Sequence, residues 1–163
     1  LDYLITLALV AALGGAGLVF TRRRLAPSLD WQEKAGLTLT QYAERLRASA
    51  EQIPQPHADV FWDMAEHLER IRAEVMVDQR DLAQARRFIY YHAKKIVELV
   101  EKFVALHDKA RPEHGDRLKD MATQLHSYRE VFARVLRACI DNDFDDMEAT
   151  MAALDTQLER LAF

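Results

Sequence analysis

With 163 residues, 50% of them hydrophobic and 29% charged, and only five Gly and four Pro, the chain is far from the composition of disordered proteins and has the means to bury a core. Its single cysteine, Cys139, excludes an intrachain disulfide framework and fits a reducing compartment. The formal charge is -4, and three arginines against one aspartate in the first 24 residues leave -6 beyond them, which excludes the basic surface that nucleic-acid binding requires.

From Tyr3 to Phe20 the chain reads YLITLALVAALGGAGLVF without a charge. Such a run, as a helix, covers roughly 27 Å of a ~30 Å hydrocarbon layer, and predicts a transmembrane helix. A secretory signal would carry its basic residues before the apolar stretch, whereas Arg22, Arg23 and Arg24 follow it. The positive-inside rule then puts that end on the cytoplasmic side of the inner membrane, as a single pass. The sequence opens on Leu1 without a methionine, so a further helix upstream is compatible with it, and Ala8, Ala12 and Ala16 form a small-residue ridge that such a helix could approach.

The division expected is an anchor with its basic flank over residues 1–24, a Pro- and Ser-containing linker over 25–36, and a helical domain over 37–163. Trp31 in the linker suits either the headgroup level or a place on the bundle. Beyond it, apolar residues spaced alternately three and four apart predict about five helices. The first seam is Leu39, Tyr42, Leu46, Ser49 and Ile53, stopped by Pro54 and Pro56. The second, from His57, is Phe61, Met64, Leu68, Ile71 and Val75. The third, from Asp81, is Leu82, Ala85, Ile89, His92, Ile96, Leu99, Phe103 and Leu106, broken by Pro112 and Gly115. A fourth carries Leu118, Met121, Leu125, Tyr128, Phe132, Val135 and Cys139, and a fifth Phe144, Met147, Met151, Leu154, Leu158 and Leu161. Connections at Asp78 to Arg80 and Asp141 to Asp143 are short, which favours antiparallel packing with coiled-coil-like crossings. The fold class is therefore all-α: an N-terminal transmembrane helix, then an antiparallel coiled-coil-like bundle.

No residue set defends catalysis, a cofactor or a metal. Asp63 with His67, and Asp59 with Asp63, read as a solvated helix face, since no His-Glu-x-x-His signature occurs. His92 on a seam reads as a hydrogen-bonded core histidine. The run DNDFDDME from Asp141 lacks the Gly and the Glu of a calcium loop, having Asp146 and Ala152 in those places, and reads as an exposed acidic helix start. Cys139 sits among apolar neighbours, where a thiol is inert. The segment QARRFIYYHAKK concentrates basic and aromatic residues, and Arg86, Arg87, Tyr91, Lys94 and Lys95 form the candidate interaction surface, suited to an acidic protein or anionic headgroups.

The stretch DQRDLAQARRFIYYHAKKIVELVEKFVAL resembles the XpaC family, the 5-bromo-4-chloroindolyl phosphate hydrolysis proteins. Arg86, Phe88, Tyr90 and Tyr91 approximate that family's Arg-x-Phe-x-x-Tyr-Tyr core, with Arg87 directly before Phe88. His92 and Ala93 stand in place of Leu-Pro, and Phe103 in place of a tyrosine. The resemblance runs from about Leu39 to Leu158 and includes a hydrophobic N-terminus. It implies a membrane-anchored helical protein working beside a TelA-like toxic-anion (tellurite) resistance protein. The function expected is a membrane-tethered interaction scaffold, more non-enzyme than enzyme, with the bilayer and a TelA-like protein as partners, no nucleic acid, and oligomerisation open. Two alternatives stand beside it: a phosphate-ester hydrolase or accessory factor for 5-bromo-4-chloroindolyl phosphate, and a sensor of metal or oxyanion stress.

Overall fold

The computed structural model describes residues 27–161, with side-chain surroundings from 31 to 154 and at 156. All the regular structure among these residues is helical: α1 (Pro27–Ala50), α2 (His57–Val77), α3 (Gln79–Arg87), α4 (Lys94–Lys109), α5 (Gly115–Ser127) and α6 (Arg129–Leu161). A π turn at Phe88–Ala93 joins α3 to α4 without a break, and a 3-10 turn at Pro112–His114 precedes α5.

The expected transmembrane helix, residues 3–20 with its flank Arg22 to Arg24, lies outside the described residues. Among the described residues no helix is long and apolar enough to cross a membrane, because each carries charged side chains on its outer face. The fold class is corrected accordingly to a helical bundle. The bilayer as a partner and the single-pass inner-membrane location rested on that helix, and no membrane-crossing helix among the described residues supports them.

Helix α2 is the hub, packing along α1 and against α3, α5 and α6. Its predicted seam is buried throughout: Phe61, Met64, Leu68, Ile71 and Val75, joined by Ala58 and Ala65. The first seam is buried likewise, from Leu39 to Ile53. Helix α1 begins at Pro27, so the stretch read as a linker is helical from there. Gln32, at 9% exposure, donates from Nε2 to the Val75 carbonyl at 3.0 Å and so satisfies a carbonyl in the last turn of α2. Gly36 sits where α1 meets Met76: a Cβ there would lie 2.8 Å from the Met76 sulfur. Trp31 packs on the bundle beneath the Arg86 guanidinium, 5.0 Å from the ring centroid.

The third seam needs correction. Leu99 and Leu106 are 44% and 50% exposed, while Phe88, Ala93, Val97, Val100 and Val104 are buried in their stead. The π turn is the reason, since its wider ring carries one extra residue and rotates everything after Ala93 relative to an unbroken α-helix. Helix boundaries shift further on as well. The chain bends at Tyr128, and α6 runs unbroken through the expected connection at Asp141 to Asp143. The fifth seam is not buried: Phe144, Met147, Met151 and Leu154 are each more than half exposed, and Leu158 and Leu161 lie outside the described side chains. At 33 residues α6 is roughly 50 Å long against roughly 32 Å for the 21 residues of α2, so its end is left uncovered by the described helices.

Arg45 on α1 forks onto Glu101 on α4 with Nε–Oε1 and Nη2–Oε2 distances of 2.6 and 2.7 Å. The guanidinium hydrogen bonds hold the Glu101 carboxyl below its ordinary value of 4.5. A lowered folded-state pKa contributes stability that is complete above the unfolded value and lost as pH falls through the folded one. Both side chains are about two-fifths exposed, so the contribution is below about 1 kcal/mol. Glu101→Gln should therefore lower the melting temperature slightly at neutral pH, and the gap from the unaltered protein should close as acidification passes through the lowered Glu101 value. A gap that persists unchanged in acid would show that the substitution acts through packing instead.

Candidate metal centre

Asp78 is both the last cap of α2 and the first cap of α3, its extended backbone making the one-residue break between the two helices. Its carboxylate accepts from the Arg80 backbone N–H at 2.8 Å and from the Arg80 guanidinium. Asp81 follows in the first turn of α3, where the positive end of the helix dipole favours an anion, and it is only 1% exposed. Helix α6 crosses here and brings Asn142, whose amide donates to Asp81 at 3.3 Å, together with Asp143. One oxygen each from Asp78, Asp81 and Asp143 lie within 4.8 Å of one another. Asp146, one turn on, forms an ion pair with Arg80.

The charges around this cluster are unevenly balanced. Burial pushes the Asp81 carboxyl up, and the neighbouring Asp78, Asp143 and Glu74 add to the rise, against the Asn142 hydrogen bond. Hydrogen bonds from Arg80 hold Asp78 and Asp146 down. Beneath them Cys139, fully buried, is pushed up to about 12 by burial and then by Asp81, Glu74 and Asp143, so the thiol stays protonated. The dry carboxylate of Asp81, ringed by further acids, is the kind of all-oxygen donor set that a hard divalent cation takes. Asp143 stands at the exposed rim and leaves the site open to solvent.

The sequence reading set the Asp141 to Asp146 run aside because it fails as a continuous calcium loop, which it does. It missed that Asp143 meets two acids some sixty residues earlier. The one available signal was the presence of two acids, Asp78 and Asp81, at a helix break. The other candidates are dispersed. Asp63 is occupied by His67, at 3.7 Å, and by Arg129, at 3.5 Å. His92 is half-buried with its ring edge-on to Tyr91. Arg86, Arg87, Tyr91, Lys94 and Lys95 are all exposed, with Arg86 laid on Trp31.

A family model described as 5-bromo-4-chloroindolyl phosphate hydrolysis protein matches residues 1–154. Neither curated proteins nor solved structures provide a match. On a match covering nearly its whole length, the chain belongs to the 5-bromo-4-chloroindolyl phosphate hydrolysis protein family, the XpaC family that its Arg86 to Tyr91 core resembles.

Proposed function

We propose that the chain takes part in the hydrolysis of phosphate esters of the indolyl class, with Asp78, Asp81 and Asp143 holding a divalent cation that the reaction uses. The observation that carries this reading is the meeting of three carboxylates from two distant segments, in a chain whose family is described by such hydrolysis. It replaces the membrane-anchored scaffold, for which no membrane-crossing helix exists among the described residues. A bound cation would supply positive charge to the phosphate oxygens as they gain charge in the transition state. Asp81 contributes a carboxylate shielded from water, Arg80 fixes Asp78 by gripping it between two hydrogen bonds, and Asp143 faces the solvent from which an ester would come.

The test is turnover of 5-bromo-4-chloroindolyl phosphate by the purified protein with magnesium or manganese, and with chelator. Turnover should require the cation and fall at least tenfold in Asp143→Asn. Cation binding without turnover would turn the reading towards a sensor, and turnover indifferent to chelator and to Asp143→Asn would place the chemistry elsewhere.

A further inference from the structure

Two surfaces that the bundle leaves open match one another. The first is the stripe on α6, where Phe144, Met147, Met151 and Leu154 alternate at spacings of three and four residues and are each more than half exposed. Every charged residue from Asp141 to Asp155 is an acid, and helical spacing puts Asp141 and Glu148 along one flank of the stripe. The second surface lies between α4 and α5, where two cavities of about 220 and 250 Å³ share Leu106 and Met121 and so form one groove. Leu99, Leu106 and Met121 are exposed along it. Its rim carries Lys102, Lys109 and Arg117, and no carboxylate is among the lining residues.

Length and charge both fit. Phe144 to Leu154 covers roughly 15 Å of helix, as does Leu99 to Lys109. Two α6 stripes laid on each other would set acids against acids, whereas the groove meets the same flank with cations. The stripe does not reach the groove of its own chain. Helix α6 starts beside the end of α5, Phe144 stands roughly 22 Å further along it, and Asn142 is held on Asp81 at the α2–α3 junction.

We propose that the α6 stripe of one copy docks in the α4–α5 groove of a second copy, the contact being exchanged reciprocally in a twofold dimer. Met147 and Met151 suit such a seat, because unbranched thioether side chains mould to an irregular groove. Reciprocal exchange covers both surfaces on both copies and closes the assembly.

The experiment is analytical ultracentrifugation of the full chain beside two charge-reversed variants. One carries Lys102→Glu with Lys109→Glu in the groove, the other Asp141→Lys with Glu148→Lys on the stripe. Asp143, a ligand in the cation reading, is left unaltered, so the outcome does not depend on that reading. The unaltered chain should be a dimer that weakens with added salt, and each variant alone should dimerise at least tenfold more weakly. An equimolar mixture of the two should regain the dimer, since an acidic stripe then meets a basic groove in one contact and a basic stripe an acidic groove in the other. Met151→Ala, nearly silent in the dilute monomer, should weaken the dimer as well. All the substituted side chains are exposed, so helicity and melting of each variant should match the unaltered chain under monomeric conditions. The single changes Lys102→Glu and Glu148→Lys replace a double variant that does not match. A monomeric unaltered chain, variants that self-associate as tightly as it does, or a mixture no tighter than either variant alone overturns the proposal.

Discussion

Phe132→Ala is expected to cost about 3–5 kcal/mol of folding stability, the largest effect of any single truncation considered for this fold. Phe132 is completely buried, and its ring meets that of Phe88 edge-on at 5.1 Å. That contact ties α6 to the π turn, whose other neighbours are α1, α3 and α4. Truncation removes the aromatic pair and leaves a cavity that two rigid helices cannot close, adding a cavity term to the lost transfer energy. For a domain of this size the melting temperature should fall by roughly 6–20 °C. Met151→Ala is the control, because Met151 is 55% exposed on the uncovered end of the same helix and should change stability by less than about 0.5 kcal/mol. Urea unfolding of the two variants measures both numbers. A Phe132→Ala change below 1 kcal/mol, or equal losses in the two, would mean α6 is not packed as described.

Asp81→Asn should have opposite effects with and without a divalent cation. In the cation-free protein the carboxylate is buried beside Asp78 and Asp143, which is why its pKa is raised. For an acid whose folded-state pKa lies above its unfolded one, ionisation favours unfolding, and the penalty grows as pH rises through the folded value. An amide of the same shape removes that penalty, so the variant should melt higher than the unaltered protein at neutral pH and equal to it in acid. It keeps a side-chain oxygen to accept from Asn142. With magnesium or manganese at a hundredfold excess over Kd, the unaltered protein should gain about 2.7 kcal/mol, and the variant, lacking the central charge, should gain little. Thermal melts across pH, with and without cation, give all four arms. If the cation stabilises both proteins equally, Asp81 is not a ligand; if the amide destabilises the cation-free protein, the carboxylate serves as a structural acceptor.

What the sequence by itself determined is the helical class, the family resemblance centred on Arg86 to Tyr91, and the buried faces of α1 and α2. Those faces are read correctly because α1 and α2 are regular helices whose stripe is set by local periodicity alone. Periodicity misled wherever the third dimension intervened. The 3-4 spacing from Leu82 to Leu106 is unbroken in sequence, yet the π turn rotates its second half, burying Val97 and Val100 and exposing Leu99. The stripe from Phe144 to Leu154 is as regular as any, but a heptad pattern shows only that a helix can be covered, and none of the described helices covers this end of α6. The candidate sites were decided by tertiary structure alone. Asp81 and Asp143 are joined by the crossing of α3 and α6. Ligand spacing is legible in sequence only when the ligands share one helix or loop. Here the acidic ligand set is assembled by packing, so its spacing is fixed by the geometry of the bundle.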